Sequence, residues 1–394
     1  MTVSSAIRHP PSIQEWFDSR EGVRNAFLSG AGWDGAKLSP VGEDCAFRRY
    51  FRLGKKSETA ILMETVPDGS AIATPGHSLR DFIRIGAFLR AAGLHTPEIY
   101  HADSENGYLL LEDFGDVSFK AELLSCQNPR ELYALATDVL SFMRRKIGPG
   151  EIELPRYYDS HVHKGLRRII DWYFPVARGR RNEDGLAEDY LAVWHKIEKQ
   201  LPPCPQGFLH IDFHVENLMW LPPHPDPPPV GGREEKNKPS PHGGEGWVGG
   251  QGPLRACGIL DFQGAMTGPL PYDLANLLED ARVDVDEYLR RAMLDCYCAD
   301  MTAEEKDIFK NWYRVLATQF HCRVAGQFIR LAVRDGKDRY LAHLPRVARY
   351  LEEGLRHPVL KPLKEWFAAE DIDFRKIPVC DPARVGKFIR DDAF

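Results

Sequence analysis

At 394 residues, with 43% apolar residues and a formal charge of −6, the chain is long enough for two structural units and apolar enough for a large core. The acidic balance argues against nucleic acid or an anionic membrane as the main partner. The eight cysteines contain no C-x-x-C pair and read as reduced packing thiols; with no long apolar run at the N-terminus, the sequence predicts a cytoplasmic protein that does not span a membrane.

Residues 11–30 carry Ile13, Trp16, Phe17, Val23 and Phe27 at near-helical spacing, which predicts an opening helix. Two β-rich runs follow, ending at Leu53 and beginning at Thr59, joined as a hairpin through Gly54 to Ser57. The turn from Gly42 to Ala46 is the candidate loop over nucleotide phosphates, although its single glycine matches neither glycine-rich phosphate motif. Arg48, Arg49 and Arg52 are either phosphate contacts or a solvated strand face. Ser78 and Asp81 read as a capping box for a helix with Phe82, Ile85 and Leu89 on one face, stopped by Gly93. Short strands are expected at Glu98–Tyr100 and from Tyr108 to Gly115. The end of the second, Leu111, Glu112 and Asp113, is either an ordinary strand end or a hinge whose backbone meets adenine.

Beyond residue 116 the pattern turns helical, from Arg130 to Met143 and from Val162 to Tyr173. In the second stretch Val162, Leu166, Ile169, Ile170 and Tyr173 form the apolar stripe, leaving Arg167, Arg168, Asp171 and Trp172 off it. An aromatic ring beside an acid suits a sugar, the ring covering C–H groups while the carboxylate accepts hydroxyls; a solvated basic face is the plainer alternative. Residues 222–253 are rich in Pro and Gly and read as a disordered insertion in the turn of a hairpin. Further helices are expected from Asp273 to Glu279, Val285 to Ala299, Ala303 to Ile329 and Leu344 to Leu355. Asp273 is either an N-cap or an acid that braces a neighbouring loop.

The chemistry is carried by His210-x-Asp212-x4-Asn217, between apolar Gly207-Phe-Leu and Leu218-Met-Trp, followed by Gly258-Ile-Leu-Asp261. Phosphoryl transfer needs a carboxylate to take the acceptor's proton and hard oxygen ligands for Mg²⁺, and Asp212 with Asn217 and Asp261 supplies these types. A zinc pair from His210 and His214 is the rival, but the motif lacks the glutamate of the usual zinc helix.

These residues, with Ile259 to Gln263 and Tyr272 to Ala275, resemble the aminoglycoside phosphotransferase superfamily. Ala46 to Arg52, Leu109 to Gly115, Asp171 to Tyr173, Arg334 to Leu341 and Arg349 to Leu351 are similar to bacterial N-acetylmuramate/N-acetylglucosamine anomeric kinases of cell-wall recycling. The resemblance implies an α+β, two-lobed protein-kinase-like fold: a small β-rich nucleotide-binding N-lobe over residues 1–115 and a larger helical C-lobe over 116–394. It implies ATP and Mg²⁺ as cofactors, an amino sugar as the small-molecule partner, Asp212 as base, and Asn217 and Asp261 as metal ligands. Two departures stand out. Met63 occupies the position of the usual third-strand lysine, and the next helix offers Phe82 and Arg84 in place of a glutamate, which either moves the phosphate role to an arginine of the Arg48–Arg52 stretch or weakens nucleotide binding. Cys45 and Ala46 replace a small residue and a serine in the phosphate loop. Another small-molecule kinase of the superfamily, acting on an aminoglycoside, a choline-like alcohol or a different sugar, is the first alternative. An inactive nucleotide-binding regulator is the second, though it would have no need of a base and both metal ligands. Arg167, Arg168 and Arg178 beside the acceptor segment favour a neutral or acidic sugar over a polycation.

Overall fold

The computed structural model describes residues 13–43, 48–70, 78–125, 128–221 and 253–389. The turn at residues 44–47, with Cys45 and Ala46, and the insertion at 222–252 lie outside the described residues. The chain divides into a smaller unit, Met1–Asp116 with Gly258–Gly264, and a larger one, Val117–Cys257 with Ala265–Phe394.

The opening helix is broken in two, α1 (Ile13–Asp18) and α2 (Glu21–Gly30). Strands β1 (Lys37–Glu43), β2 (Arg48–Lys55), β3 (Glu58–Thr65), β4 (Ile99–Asp103) and β5 (Tyr108–Leu111) form one antiparallel sheet in the order β1-β2-β3-β5-β4. Lys56, in the left-handed region at φ 57°, turns the hairpin between β2 and β3. Leu53, Ala60, Leu62, Tyr108 and Leu110 alternate along their strands and bury one face of the sheet beneath Phe27 and Leu28 of α2. Helix α3 (Leu79–Ala91) starts at Ser78, whose hydroxyl accepts the Asp81 N–H at 3.2 Å, and stops before Gly93 at φ 99°.

The larger unit is built around a 31-residue helix, Ala303–Val333, opened by a reciprocal capping box between Thr302 and Glu305. Its core takes side chains from all sides of that helix, together with Leu344–Gly354, Leu186–Lys199 and the segment from Val162 to Val176. A short ladder pairs Gln206–Leu209 with Met266–Pro269, Leu209 facing Met266. This ladder sets His210, just after the first strand, beside the helix Pro271–Leu278 that follows the second. The Leu221 N–H donates to the Ala256 carbonyl at 2.9 Å, so the chain leaves for the insertion and returns from it at neighbouring points. Among the described residues, no helix is long and apolar enough to cross a membrane.

Candidate active site

The loop His210–Asn217 is held by a carboxylate from the neighbouring helix. Asp273 accepts the His210 N–H at 2.6 Å and the Ile211 N–H at 2.9 Å, while the Asn276 amide, one turn further on, donates to the Ile211 carbonyl at 2.7 Å. Three bonds thus fix three successive peptides, the two that flank Ile211 and the one before them. That residue sits at φ 79°, a conformation β-branched side chains avoid, so the clamp has strain to hold. Asp273 does not cap its own helix, whose N-cap is Leu270 with no side-chain bond. Of the two readings of this acid, the structure selects the brace. Burial pushes its pKa up to about 7; the two backbone N–H groups act against that rise, and the nearby Asp212 adds to it.

Asp212 follows the strained residue. Asn217 closes the loop, its amide nitrogen donating to the Asp212 carbonyl at 3.0 Å and facing His214 Nε2 at 3.2 Å. With the nitrogen so committed, the Asn217 carbonyl oxygen is the atom left for a hard cation, which fits a Mg²⁺ ligand. His214 Nδ1 accepts the Glu216 N–H at 3.3 Å, so both of its ring nitrogens face loop partners and the zinc pairing with His210 is not built.

In the smaller unit Asp261 has φ 59°, and one of its carboxylate oxygens accepts from the Gln263 amide. Its segment is mounted by the Ile259 N–H bond to the His95 carbonyl at 2.8 Å and by Phe262, which packs on Phe82 at 4.9 Å between ring centroids. Gly86 of α3 leaves room for that ring: a Cβ there would lie 3.0 Å from it. Phe82, at the position where a glutamate was sought, therefore supports the Asp261 turn. Arg84 pairs with Asp81 at 2.8 Å.

The arginines of β2 are not a solvated face. Arg48 is 1% exposed and Arg49 9%. Register places Arg49 opposite Glu64, and the fully buried carboxylate takes the guanidinium at 2.7 Å and the Tyr108 hydroxyl at 2.8 Å. Arg49 also lies over the Phe17 ring at 4.2 Å. The expectation that Arg49 contacts phosphate is corrected on this ground: releasing it would leave the buried carboxylate with the Tyr108 hydroxyl and Arg24, 3.8 Å away, as its remaining partners. Arg52 pairs with Asp113 and Asp116, each at 2.7 Å. Arg48 is as buried as Arg49, and its charge reaches Asp68. At the strand end Leu111 is paired in the sheet, the Glu112 N–H donates to the Glu98 carbonyl at 2.8 Å, and Asp113 takes Arg52 and the Gly115 N–H. The side chains of Glu112 and Asp113 are therefore structural, and adenine would have to be met by backbone.

The segment from Val162 to Tyr173 departs from a regular helix. Gly165–Arg167 is a 3-10 turn and Ile169–Tyr173 a π-helix. The segment contacts the long helix and also Leu186–Lys199, so more than one face is buried and Trp172, at 1% exposure, lies in the core. The ring assigned to cover a sugar has no open face, and that expectation is corrected. Asp171 is held by Arg167 at 3.0 Å and lines a cavity of about 310 Å³ with Arg167, Asn182 and Glu183. Arg168 turns elsewhere, toward Arg323 of the long helix. Arg323 donates to the Tyr272 hydroxyl at 2.8 Å, and the charge of Asp212 helps raise its pKa. Arg323 and Asn276 were not singled out from sequence, and Tyr272 entered only as the start of a family motif, although Asn276 stands one turn after Asp273 as a paired polar signal on an apolar helix.

The phosphotransferase enzyme family matches residues 37–232. The N-acetylmuramate/N-acetylglucosamine kinase of Pseudomonas aeruginosa is 30% identical over 341 residues, covering 85% of this chain and 88% of that one. The protein of the same name from Caulobacter vibrioides is 28% identical over 377 residues, 88% and 96% of the two chains. Among solved structures, a choline/ethanolamine kinase family protein from Mesorhizobium loti superposes with a TM-score of 0.54 at 13% identity, over 90% of this chain and 98% of that one. The fold is the protein-kinase-like α+β fold, with the five-stranded sheet in the smaller unit and most of the helices in the larger.

Proposed function

The chain belongs to the phosphotransferase enzyme family, and from that premise we propose that it transfers the terminal phosphoryl group of ATP to the anomeric hydroxyl of N-acetylmuramate and N-acetylglucosamine. The observation that carries the reading is Asp212 on a loop locked in strain by Asp273 and Asn276, in a chain that spans 88% of a kinase with those substrates in its name. Asp212 accepts the proton of the sugar hydroxyl as the new P–O bond forms. The clamp keeps its carboxylate in line with the acceptor, since an ångström of misplacement at this step costs about a hundredfold in rate. Arg323 lies within electrostatic reach of Asp212, whose charge helps raise the guanidinium's pKa. Arg48 and the backbone from Leu111 to Asp113 are assigned to the nucleotide, and the setting, given ATP as donor, is cytoplasmic.

Asn217, through its carbonyl oxygen, and Asp261 are the residues that would hold Mg²⁺. When bound, the ion neutralises charge on the phosphate oxygens. Among the described residues no three His, Cys, Asp or Glu side chains cluster as a metal cage, which suits Mg²⁺, a cation that completes its shell with water and phosphate. The arginines near Arg168 weigh against a polycationic aminoglycoside.

A coupled ADP-release assay with N-acetylmuramate, N-acetylglucosamine and kanamycin tests the reading, with phosphorus NMR to identify a sugar 1-phosphate. Asp212→Ala is expected to lower turnover about 10²–10⁴-fold while ATP still binds. Turnover of kanamycin and neither sugar would overturn the substrate class, and near-normal turnover by the variant would remove Asp212 from the chemistry.

A further inference from the structure

We propose that Arg168, Arg323, Arg330 and Arg334 form an anion subsite that takes the carboxylate of an acidic acceptor, the lactyl group of N-acetylmuramate. The inference rests on the sugar-kinase reading above and names the part of the site that tells its two sugars apart.

Arg330 and Arg334 follow Arg323 by about two and three turns of the long helix, so the three share one stripe. The acceptor segment crosses that helix at very short range. A Cβ on Gly326 would fall on the Arg168 carbonyl group and 2.6 Å from the Ile169 nitrogen, so the backbone of Arg168 rests on the helix itself. A Cβ on Gly165 would lie 2.9 Å from Arg168 Nη1 and 3.1 Å from Arg323 Cδ. Two guanidinium side chains therefore converge over a residue with no side chain of its own.

The acids nearby are already engaged. Asp335 takes Arg334 at 2.6 Å, and Asp171 takes Arg167 at 3.0 Å. Tyr272 and Asp212 face Arg323, the first by a hydrogen bond and the second by charge. Among the described residues neither Arg168 nor Arg330 makes a salt bridge; the charges of Asp171 and Asp335 reach them, but each of these acids is held by another arginine. Gathering like charges in a half-buried place is unfavourable: burial, followed by the charges of Arg323, Arg330 and Arg334, pushes the Arg168 pKa down to about 10. A bound anion offsets that repulsion, and guanidinium groups hold a carboxylate by charge-assisted, often paired hydrogen bonds. The cluster is also placed for an acceptor. Arg323 reaches toward Asp212 at one end, where the reacting hydroxyl must sit, and joins Arg168 at the other. N-acetylglucosamine, with a hydroxyl where the lactyl ether stands, makes no use of it.

The test pairs the acid with its neutral twin. N-acetylmuramate and its carboxamide are compared on wild type, Arg168→Gln and Arg330→Gln, for binding by calorimetry and for kcat/KM with ATP. Wild type is expected to prefer the acid about 10- to 100-fold, the range of a charge-assisted hydrogen bond. In each variant that preference should shrink about tenfold while KM for ATP stays put. Equal handling of acid and amide by wild type overturns the subsite, and so does a preference that both variants retain. A rise in KM for ATP overturns it too, by moving the arginines to nucleotide phosphate. Acid-selective binding without turnover of either sugar supports the subsite and removes the kinase reading; turnover of both sugars without acid preference does the reverse.

Discussion

Replacing Asp273 with Asn is the sharpest perturbation of the catalytic loop. The carboxylate accepts two backbone N–H groups, at 2.6 and 2.9 Å, in a site 3% exposed. An amide has one oxygen, so one of the two N–H groups would face an N–H₂ instead. Losing a hydrogen bond to a charged group costs about 1.5–3 kcal/mol, and the orphaned buried donor adds about 1–3 kcal/mol. Ile211 in the left-handed region stores about 1–3 kcal/mol that the clamp must outweigh. Because burial already disfavours the ionised carboxyl, whose pKa is pushed up to about 7, Asp273→Asn should lower unfolding stability by only about 1–3 kcal/mol and let the peptide at Ile211 relax. Turnover should fall about a hundredfold with KM for ATP changed little, because Asp212 moves while the nucleotide site does not. The measurement belongs near pH 8, above the Asp273 pKa of about 7, where the carboxylate is ionised and accepts both donors fully. Asn276→Ala, which removes a single bond to the Ile211 carbonyl, should give the same pattern at about 1 kcal/mol. A folded Asp273→Asn protein with wild-type kcat and an unchanged urea midpoint would refute the brace.

Three other outcomes are expected. Asp261→Ala should abolish Mg²⁺-dependent turnover more completely than Asn217→Ala, since a charged ligand offsets more phosphate charge; titration of rate against Mg²⁺ decides, and two active variants at ordinary Mg²⁺ would end the metal assignment. Gly326→Ala should destabilise by about 1–3 kcal/mol although alanine favours helix by about 1 kcal/mol, because the new methyl meets backbone at Arg168 and Ile169 that cannot turn aside; an unchanged denaturation midpoint would contradict the close crossing. Glu279 is fully buried against Arg314 at 2.9 Å, His321 at 3.0 Å and the Tyr313 hydroxyl at 3.1 Å. Burial opposes its charge, but Arg314, His321 and Arg290 outweigh it and hold the carboxyl at about 2 against an ordinary 4.5. A depressed folded pKa gives stability that is present above about pH 4.5 and lost as pH falls toward 2, about 3 kcal/mol in all, so acid unfolding curves of Glu279→Gln should be flatter by that amount.

Much of the architecture was legible in the chain. The strands from Arg48 to Thr65, the cap at Ser78, the helices from Pro129 to Lys146 and from Leu344 to Gly354, and the long helix from Ala303 all follow local rules: alternation, a 3.6-residue period, a cap, a glycine stop. So did the His210–Asn217 motif, because phosphoryl transfer restricts which side chains can serve and at what spacing along one loop. The tertiary structure decided what long-range neighbours do with the same side chains. Sequence left Asp273 between cap and brace; the ladder pairing Leu209 with Met266 brings it against His210 and Ile211, more than sixty positions away, and makes it a brace. Arg49 looked as available to phosphate as Arg48 until cross-strand register set it on buried Glu64. Trp172 lay off the predicted apolar stripe, yet packing on more than one side draws it into the core, while Arg168 beside it is carried toward three arginines of the long helix. Periodicity reports which side of an element is apolar; which charge meets which carboxylate is fixed only when distant segments are brought within a few ångströms, where burial and Coulomb attraction or repulsion acquire their size.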